Sequence, residues 1–117
     1  MPDDQTTLQE LKDVIARFEA ERNWRQFHSP KNLAMGLAIE TGELLEHFQW
    51  IDSEESRQVV QDAQQRAQVQ DEMADVLGYL LNLAVEMQVD LSEAFLEKMK
   101  RNEHKYPADT YRGKYKL

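Results

Sequence analysis

Residues 72–87 read EMADVLGYLLNLAVEM, and the period of their apolar side chains decides the fold. At 100° per residue, Val69, Met73, Val76, Leu80, Leu83, Ala84 and Met87 fall on one broad arc, while Glu72, Asp75, Tyr79, Asn82 and Glu86 share one side. That rhythm is helical, with no alternation of the kind a strand requires. Residues 33–51, LAMGLAIETGELLEHFQWI, follow the same plan. There Leu33, Leu37, Leu44, Phe48 and Ile51 make the core stripe, and Gly36, Glu40, Glu43, His47 and Trp50 lie beside it.

Working outward, Thr7 and Glu10 have capping-box spacing, and Leu8, Leu11, Ile15 and Phe18 follow at helical intervals. A first helix is predicted from Leu8 to Arg22. Ser29 and Pro30 supply an N-cap with proline at the first helical position, so a second helix starts there and reaches about Trp50. Residues 52–71 are polar and Gln-rich, and Ser53, Glu54 and Glu55 suggest a short capped helix before the long third one. Asp90 and Glu93 offer another capping box, opening a fourth helix that Pro107 terminates. No repeat of 20 to 50 residues is present. The expected fold is all-α, a bundle of about four main helices. It forms one domain over residues 1–117, with a basic tail at 107–117.

Composition bounds the function. The chain has 117 residues and 41% apolar content, enough for a core. It lacks a long uninterrupted apolar run, and Met1 to Thr7 is polar and acidic rather than signal-like, so a cytoplasmic protein with no membrane partner is expected. The absence of cysteine excludes disulfides, thiol catalysis and thiolate metal sites. A net charge of −8 argues against a nucleic-acid polymer as partner. Residues 98–117 nevertheless carry seven Lys and Arg against two Asp and Glu, a local +5 that leaves the first 97 residues at −13.

The chemistry-bearing pattern is a pair of Glu-x-x-acid motifs, Glu40/Glu43 and Glu72/Asp75, each interrupting an apolar helix. Residues three apart share a helix face. Either pair alone reads as a solvated edge. Four acids at matched phases on two strongly apolar helices repel one another unless water or a cation intervenes, and hard oxygen ligands favour magnesium or manganese over zinc. A di-iron centre would need Glu-x-x-His. Here Glu43 and His47 are four apart, and neither Glu72 nor Glu86 has a histidine three residues later. On the last helix Lys98, Asn102 and Lys105 share a face able to offer two ammonium groups and an amide to phosphate oxygens. Arg112, Lys114 and Lys116 continue the basic end.

These residues resemble the all-α nucleoside triphosphate pyrophosphohydrolases, a family that includes MazG-like proteins, dimeric dUTPases and dCTP pyrophosphatases. The likeness runs through RNWRQFHSPKN (22–32), ETGELLEHFQW (40–50), DEMADVLGYLLNL (71–83) and KMKRNEHKYP (98–107), and is nearest to the dCTP pyrophosphatase branch. The resemblance implies magnesium-dependent hydrolysis of a nucleoside triphosphate, dCTP or a modified dCTP by preference, between the α and β phosphates. It assigns the metal to Glu40, Glu43, Glu72 and Asp75, with Glu43 or Glu40 as the proton acceptor.

By the same likeness, Lys98, Asn102, Lys105 and Tyr106 are phosphate and sugar contacts, and Trp24, Trp50 and Tyr79 form the base pocket. His28 reads as a structural loop residue. Ile15 stands where the animal dCTP enzymes align a histidine, which leaves the base preference open between dCTP or a 5-modified dCTP, still expected as a good substrate, and broader pyrimidine use. The wide apolar arc of the third helix, together with the family, implies a homodimer or homotetramer. The competing reading is a helical interaction module without chemistry, and between the two lies a nucleotide-binding regulator that does not hydrolyse.

Overall fold

The computed structural model describes residues 1–115, and every regular element among them is helical. Lys116, assigned above to the basic tail, lies outside the described residues. Helix α1, Leu8–Arg22, opens on the expected capping box: Thr7 Oγ1 accepts from Glu10 N at 3.1 Å, and Thr7 N donates to Glu10 Oε1 at 3.0 Å. It stops where Asn23 takes a left-handed conformation, φ 52°. A 3₁₀ turn at Arg25–Phe27 leads to α2, Pro30–Glu46, capped by Ser29 Oγ accepting from Asn32 N.

The second helix is shorter than its apolar period predicts. It ends at Glu46, and the chain tightens into turns through Trp50, with Phe48 N donating to Leu45 O at 2.9 Å and Ile51 N to Phe48 O at 3.3 Å. Asp52 immediately caps the next helix, α3, Ser53–Gln58, by accepting from Glu55 N at 2.8 Å. The backbone must leave the helical path before that cap, although Phe48 and Ile51 still turn inward. Helix α4, Ala63–Met87, begins at Asp62, whose carboxylate accepts from Gln64 N and Gln65 N. Helix α5, Leu91–Lys105, starts at Asp90, which accepts from Glu93 N at 2.9 Å. Glu93 makes no return bond, so a simple cap stands where a box was expected. Pro107 then begins the short α6, Ala108–Tyr111.

Helices α1 and α2 both pack on α4. Leu33 is fully buried, and Val59, Leu81 and Ala84 are buried as well. The buried face of α4, which packs against both helices, differs from the arc read from sequence. Met73 and Met87 are exposed, whereas Leu81 and the polar Asn82 are buried. Helix α5 makes only marginal contact with the rest and leaves Phe95, Leu96 and Met99 exposed. The chain is correspondingly open. It exposes 9643 Å², against about 6,600 Å² for a folded monomer of its mass. Its radius of gyration is 17.2 Å, against about 13 Å for a compact chain of this length.

Candidate functional site

The i, i+3 spacing on α2 and the facing position on α4 bring Glu40, Glu43 and Glu72 together. One carboxylate oxygen of each lies within 4.8 Å of the others. Asp75 is not part of this closest group, but its charge acts on both Glu40 and Glu72. Burial raises the pKa of Glu40 above its ordinary value, and the neighbouring Glu43, Asp75 and Glu72 push it further in the same direction. Glu72 is raised first by burial and then by Glu43, while His47, with Nε2 3.8 Å from Glu72 Oε1, works the other way.

Two oxygens in this group, Glu40 Oε2 and Glu72 Oε2, are buried without a hydrogen-bond partner among the described residues. Buried polar atoms are ordinarily paired, and leaving a carboxylate oxygen dry and unmatched is costly. An all-carboxylate donor set with orphaned oxygens fits a hard divalent cation such as magnesium or manganese.

Beside the acids, between α1 and α4, lies a cavity of about 310 Å³ that Asp75 also lines. Its aromatic side is a chain of edge-on rings. Phe18 and Trp24 have centroids 5.6 Å apart, Trp24 and His28 6.2 Å, and His28 and Tyr79 6.4 Å. Ile15, Ala74 and Gly78 complete the apolar surface, and Glu19 and Asn82 form a polar end. Trp24 and Tyr79 therefore meet in one pocket. Trp50 does not join them: it projects from the turn after α2, 88% exposed.

Lys98, Asn102, Lys105 and Tyr106 all lie on α5 or at its end, and none lines the cavity. Asn102 Nδ2 lies 3.7 Å from Met99 Sδ, Lys105 Nζ lies 5.4 Å from the Tyr106 ring, and Tyr106 meets Tyr111 edge-on at 5.3 Å. No helix among the described residues is long and apolar enough to cross a membrane.

Residues 36–116 match the model of the MazG-like family. The chain belongs to that family. It is 44% identical to the dCTP pyrophosphatase 1 of Bos taurus and of Homo sapiens, over 92% of its own length and 63% of theirs. It thus spans a little under two thirds of those curated relatives. A crystal structure of a pyrophosphatase from Archaeoglobus fulgidus superposes with a TM-score of 0.80 at 40% identity, covering 92% of this chain and 98% of that one.

Sequence reasoning on this MazG-like chain passed over Glu19 and gave Asn82 no role. Glu19 is buried on α1, and its Oε1 accepts from Asn82 Nδ2 at 2.6 Å while also bonding His28 Nδ1. A signal for it existed. Glu19 lies four residues beyond Ile15 and eight beyond Leu11, so it sits on the apolar stripe of α1, where an acid is out of place unless it has a partner. His28, read as structural, is both a ring in the pocket wall and a partner of that acid.

Proposed function

We propose that this protein hydrolyses a nucleoside triphosphate between its α and β phosphates, giving the monophosphate and pyrophosphate, with dCTP or a modified dCTP as favoured substrate. The observation that carries the reading is the pair of orphaned oxygens, Glu40 Oε2 and Glu72 Oε2, beside a cavity whose walls are aromatic. Asp75 belongs to both, lining the cavity and acting on the acids. A flat base stacked near Trp24 and Tyr79 has its phosphates reaching toward the carboxylates. The names of the relatives, dCTP pyrophosphatase 1 and pyrophosphatase, support the same substrate class.

Glu40, Glu43, Glu72 and Asp75 would hold magnesium, or manganese in its place. When bound, the ion neutralises charge building on the triphosphate and lowers the pKa of attacking water. Glu40 and Glu72, each with an unmatched buried oxygen, are best committed to the cation. Glu43 is then the carboxylate we assign to accept the water's proton. Trp24 and Tyr79 orient the base, so that the scissile phosphate is presented in one geometry. Lys98, Asn102, Lys105 and Tyr106 serve the phosphates and sugar from α5.

That last role is best met in a homo-oligomer, since α5 stands off its own chain. The surplus surface of roughly 3,000 Å² per chain, measured against the monomer scaling, is roughly 6,000 Å² for a pair, the upper range of what obligate assemblies bury. A second copy would cover Phe95, Leu96 and Met99 and bring α5 and Trp50 toward a neighbouring site. A monomer by light scattering at micromolar concentration contradicts this.

Magnesium-dependent pyrophosphate release tests the activity. Glu72→Gln or Asp75→Asn is expected to abolish release while the helical circular dichroism is retained. Unchanged release by both variants would return the chain to the class of helical interaction modules.

A further inference from the structure

Glu19 is a carboxylate 5% exposed at the inner wall of the aromatic cavity, and no step of the proposed hydrolysis uses it. An ionisable group so placed needs its lone pairs satisfied. Oε1 is: Asn82 Nδ2 donates to it at 2.6 Å, and His28 Nδ1 bonds the same oxygen. These contacts fix more than Glu19. Asn82 is 7% exposed, and because a carboxylate accepts rather than donates, its amide must present Nδ2 to Glu19. Asn82 Oδ1 is thereby directed elsewhere.

Glu19 Oε2 and Asn82 Oδ1 have no protein partner among the described residues, and both side chains line the aromatic cavity as well as a second one of about 200 Å³ shared with Arg25 and Glu86. The polar end of a pocket otherwise made of Trp24, Tyr79, Ile15 and Gly78 thus offers two acceptors. They are braced from α1, from α4 and from the loop before α2. A group with two N–H donors in one plane satisfies both. A carbonyl at the same place sets a third acceptor against these two with no donor between them, an arrangement that rejects a ligand far more strongly than poor apolar fit does.

We propose that Glu19, held by Asn82 and His28, is the specificity-determining residue of this pocket and selects a pyrimidine carrying a 4-amino group over one carrying a 4-oxo group. The inference rests on the nucleotide pyrophosphohydrolase reading and adds to it the residue that chooses the base.

The test compares kcat/KM for dCTP, for dUTP and for the deoxynucleoside triphosphate of 2-pyrimidinone, which has hydrogen in place of the amine, on the wild type and on Glu19→Gln. The wild type is expected to prefer dCTP over both by at least about 10²-fold. The variant keeps an oxygen for His28 and Asn82 but turns the second oxygen, an acceptor, into a donor. Its dCTP to dUTP ratio is expected to fall at least tenfold, chiefly through KM.

Equal loss on dCTP and dUTP would reduce Glu19 to a helix brace and overturn the proposal. So would a wild type that uses the three nucleotides alike, a result that decides the matter even if Glu19→Gln does not fold. Pyrophosphate release without preference for the amine sinks this inference alone. No release from any nucleotide sinks the functional reading and the inference together.

Discussion

The ring of Tyr79 on α4 occupies the space in which a side chain at Gly36 on α2 would begin. A Cβ built at Gly36 would lie 2.8 Å from Tyr79 Cδ1 and 2.9 Å from Cζ. The two helices approach closely because Gly36 has no side chain, and the contact holds the tyrosine ring against the cavity wall.

Gly36→Ala therefore sets two effects against each other. Alanine favours the helix by about 1 kcal/mol, while forcing an extra methyl into a filled contact costs about 1–3 kcal/mol. The clash is expected to win by roughly 1 kcal/mol in urea denaturation. Displacement of Tyr79 is expected to raise KM for the nucleotide. An alanine variant more stable than wild type with unchanged KM would show that the ring yields freely.

Acid clustering ties stability to pH and to cations. Glu40 and Glu72 both have pKa values raised above the ordinary 4.5, so the folded chain holds their protons more tightly than the unfolded chain does. Their contribution is fully present below 4.5 and is lost as pH rises through the raised values. Without divalent cations, Tm is expected to carry a falling component across that interval. Magnesium is expected to raise Tm far more near neutral pH than at pH 4.5. Equal magnesium shifts at both would mean that the carboxylates do not bind the ion.

Helix α5 gives a prediction about assembly. Phe95 is 64% exposed on a helix that scarcely touches its own chain, so Phe95→Asp removes little internal packing. Helical content is expected to persist while the mass measured by sedimentation falls to that of one chain. Turnover is expected to fall with it, because α5 carries Lys98, Asn102 and Lys105. A variant that stays assembled and fully active would place the interface elsewhere.

Trp50 separates stability from binding. At 88% exposure it contributes little to the fold of one chain, so Trp50→Ala should shift chain stability by no more than about 0.5 kcal/mol. If the assembly brings this ring against a base, KM rises about tenfold, at the lower end of stacking energies of about 1–3 kcal/mol. An unchanged KM would remove Trp50 from the base site.

Legibility in the sequence followed distance along the chain. The capping box of Thr7 and Glu10 and the cap at Ser29 are bonds between residues three apart, so local spacing exposes them. The premature end of α2 was hidden, because Phe48 and Ile51 keep the helical apolar period while the backbone does not. Asn82 misled in the other direction. Its phase placed it on the acidic side with Glu72, yet it is buried against an acid 63 positions away.

By itself the sequence determined that this chain is helical and carries two acid pairs on apolar helices. Periodicity, caps and i, i+3 geometry are properties of a single helix and need no partner. Only the tertiary structure decided that Glu40, Glu43 and Glu72 converge, that Trp24, His28 and Tyr79 wall one cavity, and that Glu19 meets Asn82 at its end. Those outcomes depend on how closely and at what rotation separate helices pack. Here that packing includes the close approach of Tyr79 to Gly36, which has no side chain, and the contact of both α1 and α2 with α4, relations that no single helix encodes.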